Sequence, residues 1–256
     1  MIQVKQLVLE EGQPKICTSL IGTTREEILV QAQKAIDTKA VDLFEWRADF
    51  YEDVSDLSEV IETLRQLQND FPDTPLLFTY RTDREGGHQP ISLPDYASLC
   101  RDVVATGLID LIDVELQQAE NLGMHFVEML KAQKVCVILS NHDFEETPPD
   151  SILLYRLNLM AHYGADIGKL AVSPTTAADV FRLMHFSAQS SDTVSLPIIT
   201  IAMGELGKLS RVSGALTNSL VTFGSVGENS SAAGQIDVGI LKKIMNELAI
   251  QPNTLE

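Results

Sequence analysis

The chain reads as a (β/α)8 barrel in a single domain spanning residues 1–256, and three observations predict it. Eight short apolar runs of strand type alternate with segments of helical spacing. The length suits one barrel, and no Pro/Gly/Ser-rich linker divides it. Residues able to do chemistry gather at the carboxyl ends of the apolar runs, where the βα loops of a barrel meet. An open doubly wound sheet is the alternative. It calls for a glycine-rich turn after an early strand, and no G-x-G-x-x-G is present.

A short N-terminal extension precedes the first run. The strands are expected at 15–20, 41–46, 75–81, 108–115, 135–140, 166–172, 196–202 and 221–224. The first helix shows apolar spacing at Ile28, Leu29, Ala32, Ala35 and Ile36, opened by Thr24 with Glu27 three places on as a capping box. The next reads from Leu57, Val60, Ile61, Leu64 and Leu67, and the third from Tyr96, Leu99, Cys100, Val103 and Val104, ended by Gly107. Single helices are expected near 120–133, 151–163, 175–188 and 206–219, and a last one carries Ile236, Ile240, Leu241, Ile244 and Leu248.

Lys169 stands inside the run Asp166-Ile167-Gly168-Lys169-Leu170-Ala171-Val172, where a core strand rarely places an ammonium group. Burial disfavours a charged amine, and an enclosed lysine is a nucleophile toward a carbonyl carbon. Read alone it is equally a core-edge lysine paired with a carboxylate. Its company decides. Ser19 closes the first run, Glu45 and Arg47 the second, Arg81 the third, Asp113 and Glu115 the fourth and His142 the fifth, while Met203 follows the seventh. Glu45 and Arg47 are two apart and so leave the strand on one face, as a ligand clamp or as a structural ion pair. Asp113 and Glu115 rank lower, as groups that hold the lysine. His142 is alternatively a turn residue, and Arg81 and Arg211, taken singly, are surface charges.

Other signals carry less. Gly164 to Lys169 has one residue too few for a P-loop, and Leu170 replaces the required Ser or Thr. Cys17, Cys100 and Cys136 are odd in number and lack C-x-x-C spacing, which suits core packing in a reducing compartment. His88, His125, His162 and His185 are scattered, so no metal site is expected. Asn229-Ser230-Ser231 is a formal glycosylation sequon, but neither a signal peptide nor a spanning apolar stretch accompanies it, and a cytoplasmic protein without membrane contact is expected. With 19 basic against 36 acidic residues and a net charge of -17, the chain is a poor partner for nucleic acid.

Several segments in order resemble the type I 3-dehydroquinate dehydratase family. They are Glu45-Trp46-Arg47, Phe78-Thr79-Tyr80-Arg81 with Glu85-Gly86-Gly87, Ser140-Asn141-His142-Asp143-Phe144, Lys169, Met203-Gly204 leading to Ser210-Arg211, and Thr222-Phe223-Gly224 followed by Ser231-Ala232-Ala233-Gly234-Gln235. The resemblance runs nearly end to end. It implies a lyase of the shikimate pathway, without metal or cofactor, that converts 3-dehydroquinate to 3-dehydroshikimate and water. It also implies an imine on Lys169, proton transfer by His142 with Glu85 beside it, and a homodimer. Contacts to the substrate carry over to Ser19, Glu45, Arg47, Arg81, Met203, Arg211, Ser231 and Gln235. Many members have proline where this chain has Ala233.

The chemistry of the residues agrees. A protonated imine accepts the electrons left when a proton beside a ketone is removed, and an imidazole near neutral pKa takes that proton and later returns one. Arginine suits a carboxylate through its planar fork, Arg211 first. A Schiff-base aldolase for a phosphorylated sugar is a rival, as is a silent binding protein that kept the pocket. The glycine- and serine-rich stretch 224–235 is expected to be a mobile lid.

Overall fold

The computed structural model describes residues 1–227 and 231–249. Eight parallel strands form the barrel wall: β1 (Lys15–Leu20), β2 (Leu43–Arg47), β3 (Leu76–Thr79), β4 (Leu111–Glu115), β5 (Cys136–Asp143), β6 (Ile167–Val172), β7 (Ile198–Ala202) and β8 (Val221–Ser225). Each of β1 to β6 pairs with the next, and β8 pairs back with β1. The alternation of a strand sends Leu43 and Glu45, Leu77 and Thr79, Leu111 and Asp113, and Ile167 and Lys169 inward in turn. The lower interior is therefore apolar and the upper interior polar.

The expected N-terminal extension is a hairpin, Ile2–Val4 against Leu7–Leu9, and its Val4 and Leu9 plug the apolar lower end. A larger apolar layer lies between the outer faces of the strands and the helices. At the foot of the barrel three aspartates repeat one device. Asp42, Asp110 and Asp166, just before β2, β4 and β6, accept the N–H of Ile16, Leu76 and Val137 at 2.7, 2.9 and 2.9 Å. Each donates its own N–H back to the carbonyl of the same residue. A strand start is thereby locked to its predecessor in register.

Most helices sit where the spacing puts them. They are α1 (Arg25–Asp37), α2 (Leu57–Asp70), α3 (Leu93–Ala105), α4 (Leu116–Leu122), α5 (Met124–Lys131), α6 (Asp150–His162), α7 (Ala177–Thr193), α8 (Lys208–Val212), α9 (Gly214–Thr217) and α10 (Val238–Glu247). Thr24 caps α1 through the N–H of Glu27, but the carboxylate of Glu27 reaches the N–H of Thr23, so the expected box is only half formed. The helix expected at 120–133 is two helices, α4 and α5, because Gly123 adopts φ 82, a left-handed conformation that interrupts the ladder. The helix expected at 206–219 is likewise two short pieces.

That second break belongs to a seam. Among the described residues β7 and β8 share no ladder, only a bridge between Ile198 and Ser219 at the lower end, with Leu220 N–H on Ile198 O at 2.9 Å. Above it α8 fills the gap. Ser210 Oγ accepts the N–H of Ala202 at 3.0 Å, and the carbonyl of Arg211 accepts Thr222 Oγ at 2.8 Å. A Cβ on Gly207 would lie 2.0 Å from Ala202 O, so only glycine lets the segment approach β7 this closely. Among the described residues no helix is long and apolar enough to cross a membrane.

The foot of the barrel lies opposite the polar end, so its locks bear on stability alone. Asp110→Ala leaves the N–H of Leu76 without its partner and should lower unfolding free energy by about 1–3 kcal/mol in urea titrations, with steady-state kinetics unchanged. A variant as stable as the wild type would show that the lock contributes nothing.

Candidate active site

Lys169 projects from β6 into the upper interior and is 3% exposed. Its Nζ donates to Asp113 Oδ2 at 3.0 Å, stands 3.7 Å from Glu45 Oε1 and lies 4.7 Å from the centre of the Phe223 ring. Asp113 Oδ1 accepts Arg81 Nη2 at 2.7 Å and Ser140 Oγ at 2.6 Å. One carboxylate thus holds a lysine, an arginine and a hydroxyl. Burial opposes its ionisation, but Arg81 and Lys169 outweigh burial and hold its carboxyl far below the usual range.

Arg81 is not a surface charge. It is 2% exposed and spread over Asp113, Glu115 (3.3 Å) and Ser140 (3.0 Å). Burial works against its charge, and the surrounding carboxylates still raise its pKa well above the ordinary value. Glu45 accepts Ser19 Oγ at 2.5 Å and Thr79 Oγ at 3.1 Å, while Arg47 bonds not Glu45 but Asp49, through two contacts of 2.8 Å. The pairing that the spacing of Glu45 and Arg47 allows is therefore not made.

His142 comes from the end of β5. Glu85 Oε2 lies 2.8 Å from its Nδ1 and accepts its backbone N–H at 3.0 Å. Burial first, then the cations of Arg81 and Lys169, hold the imidazole well below 6.5. Burial first, then Glu115 and Asp113, push Glu85 up to about 8 against the pull of Arg81. At neutral pH the imidazole is an uncharged base.

Arg211, carried on α8 in the seam, donates to two carbonyls, Phe223 O at 3.2 Å and Ala233 O at 3.3 Å. Its Nε is buried without a partner, it makes no ion pair among the described residues, and burial brings its pKa down to about 10. Ser231 donates to Ser19 Oγ at 2.9 Å and accepts Gln235 Nε2 at 3.0 Å. Residues 228–230, which include two residues of the sequon and the middle of the expected lid, lie outside the described residues.

These groups surround a cavity of about 310 Å3. Glu45, Arg47, Arg81, Glu85, His142 and Lys169 line its floor and one side, and Met203, Arg211, Ser231 and Gln235 the other. Ser19 does not line it. It stands behind, between Glu45 and Ser231. Three contributors escaped the sequence reading: Asp49, whose signal was its place two residues after Arg47; the ring of Phe223, inward on β8; and Phe144, stacked 6.4 Å from His142. Among the described residues no group of three or more His, Cys, Asp or Glu is placed to hold a metal ion.

A model of the family described as type I 3-dehydroquinase matches residues 16–252. The chain belongs to that family. It is 41% identical over 249 residues to the 3-dehydroquinate dehydratase of Bacillus licheniformis, covering 97% of each chain. Among solved structures, the type I 3-dehydroquinate dehydratase of Clostridium difficile, determined with covalent modified comenic acid, superposes with a TM-score of 0.91 at 39% identity over 96% of both chains. The Geobacillus kaustophilus 3-dehydroquinate dehydratase gives 0.91 at 35% identity, covering 96% of this chain and 95% of that one.

The two opposed titrations have opposite consequences for stability. Glu85 ionises near 4.5 when unfolded and near 8 when folded, so its contribution is complete at low pH and is lost as pH rises through 8. His142 takes up a proton near 6.5 when unfolded and only at lower pH when folded, so its contribution is present above 6.5 and is lost as pH falls. Glu85→Gln imitates the neutral acid and should flatten the alkaline side. Urea midpoints measured from about pH 5 to 9 should decline more steeply in the wild type than in the variant. Parallel curves would remove the shift on Glu85.

Proposed function

We propose that the chain is a 3-dehydroquinate dehydratase of the shikimate pathway, a carbon–oxygen lyase working through an imine on Lys169. The observation that carries the reading is a buried amine and a neutral imidazole opening onto one cavity, beside a guanidinium with no anionic partner. The amine of Lys169 gives up a proton and attacks the ketone carbon, and the carbonyl oxygen leaves as water with that proton and a second one from the nitrogen, giving a protonated imine. His142 takes the proton on the carbon next to it, and the electron pair moves into the imine as an enamine. The pair then returns and expels the β-hydroxyl, which leaves as water with the proton that His142 holds. Hydrolysis of the imine consumes one water and frees Lys169, so the balance is 3-dehydroshikimate and one water.

Each remaining group has work in this scheme. Asp113 and Glu45 hold the amine in place, and Glu85 orients the imidazole through Nδ1 so that its other nitrogen faces the cavity. Arg211 meets the substrate carboxylate through the donor that the protein leaves unbonded. Arg47, Ser231, Gln235 and Met203 surround the ring, and Ser19 supports Glu45 and Ser231 from behind. Arg81, saturated by its own carboxylates, acts on the field rather than as a ligand contact. Three free thiols and the reducing environment that suits them accord with a cytoplasmic location.

Adding 3-dehydroquinate and following the absorbance of the conjugated enone tests the activity directly. Borohydride with substrate should fix one ligand mass on Lys169. His142→Ala should still form that adduct, with turnover slowed by about 10²–10⁴. A label on another residue, or none, sinks the imine route.

The same reading includes a homodimer. On α10 the residues Ile240 and Ile244, with Leu248 at its end, run outward at intervals of four, away from the barrel-facing Val238, Leu241 and Met245. Leu209 and Leu216 on the adjoining α8 and α9 are also exposed. Two basic residues near this face are paired internally, Lys208 with Glu205 at 2.7 Å and Lys242 with Asp42 at 3.7 Å. In a chain of net charge -17, such a face lets a second copy approach by its own apolar stripe. Sedimentation equilibrium should give a dimer, and Ile244→Glu a monomer. A wild-type monomer at micromolar concentration overturns this part.

A further inference from the structure

Asp49 is fully buried, one turn of backbone beyond Arg47, and lines no part of the cavity. Its carboxylate nevertheless accepts four donors. Oδ1 takes Arg47 Nε at 2.8 Å and the backbone N–H of Arg81 at 3.3 Å. Oδ2 takes Arg47 Nη2 at 2.8 Å and the backbone N–H of His88 at 3.0 Å. The first donor of each pair belongs to a guanidinium facing the cavity. The second belongs to one end of the segment 81–88.

That segment carries Glu85, the residue against Nδ1 of His142. Next to Arg81, Thr82 is held by Glu115, which accepts its N–H and its hydroxyl, both at 2.7 Å. Among the described residues Asp49 is the one side chain that accepts from both Arg81 N–H and His88 N–H. It also fixes the guanidinium of Arg47 by its fork, with the ring of Phe50 5.1 Å away and His88 stacked on that ring at 4.9 Å. The third nitrogen of Arg47 is left for the cavity.

We propose that Asp49 is a positioning residue that sets both the aim of Arg47 at the substrate and the placement of Glu85 against His142. The inference rests on the dehydratase reading for its first half. Its second half concerns the geometry of the protein alone. Because each oxygen of Asp49 already faces two N–H groups, an amide in its place opposes donors with donors whichever way it is turned. Asp49→Asn therefore breaks the arrangement without changing its size.

With D49N shown to be folded by circular dichroism, two measurements test the proposal. KM for 3-dehydroquinate should rise about 10- to 100-fold, the worth of charge-assisted bonds on Arg47, while borohydride trapping on Lys169 at saturating substrate persists. The NMR titration of the His142 imidazole should move relative to the wild type, a readout that needs no turnover. A lower melting temperature with both KM and the His142 titration unchanged overturns the proposal and leaves Asp49 merely structural. A wild type without turnover refutes the dehydratase reading, and the titration then decides the inference alone. If D49N does not fold, Arg47→Lys breaks the fork from the other side while keeping the charge. KM should then rise with the His142 titration as in the wild type, and an unchanged KM overturns the proposal.

Discussion

The carboxylate of Asp113 is shared between the amine of Lys169 and the guanidinium of Arg81, in the interior of a barrel that offers neither cation an alternative in water. Taking such ions out of water costs several kcal/mol each, and close pairing with satisfied hydrogen bonds is what offsets it. Among the described residues nine charged side chains are buried, and all nine lie in or directly behind this one site. Four are cations, Arg47, Arg81, Lys169 and Arg211; five are carboxyls, Glu45, Asp49, Glu85, Asp113 and Glu115. With Glu85 protonated at neutral pH the signs balance. Burial is the first cause of the raised titration of Glu85, and its carboxylate neighbours in the layer add to it. A further carboxylate placed beside Asp113 and Glu115 keeps its proton.

That balance also resolves the conflict between a strongly acidic chain and an anionic substrate. The net charge of -17 repels an anion at long range, but screening confines this to a Debye length of ~8 Å at physiological salt. Inside the cavity the contacts decide. Arg47 and Arg81 are committed to carboxylates of the protein, whereas Arg211 is committed only to carbonyls. In the proposed reaction the attraction for a carboxylate is local and directional, and it belongs to the one buried cation that has no anionic partner among the described residues.

The strands were legible as eight apolar runs, and the rule that a barrel gathers its loops at the carboxyl ends of its strands brought Lys169, Glu45 and Asp113 to one rim. Contacts that depend on backbone groups were not. The spacing of Glu45 and Arg47 says they share a face, but not that Asp49 captures the guanidinium first. Apolar spacing on α10 marked Ile240 and Ile244 together with Leu241, since a helix with two apolar stripes has the same composition as one with a single broad stripe. Ser19, which the resemblance makes a ligand contact, ends β1 but does not line the cavity. A strand end fixes the level in the barrel, not whether another side chain stands in front.

The seam between β7 and β8 could not be read at all, because it is an absence of pairing. Closing a barrel removes every sheet edge, and here the last joint is made by a helix instead of a ladder. Ser210 and the carbonyl of Arg211 restore bonds that β7 and β8 would have given one another. The substitution has a consequence for chemistry. A residue on a strand meets side chains from its neighbours, and in this layer those neighbours are carboxylates. A residue in the seam meets main-chain carbonyls, which orient a guanidinium without neutralising it. Arg211 therefore remains a buried cation whose charge is held down by burial alone, and an anion entering the cavity relieves that cost. The incomplete joint of the barrel and its unpaired cation are the same feature, since the gap in the sheet is what sets Arg211 against carbonyls at the cavity wall, without an anionic partner among the described residues.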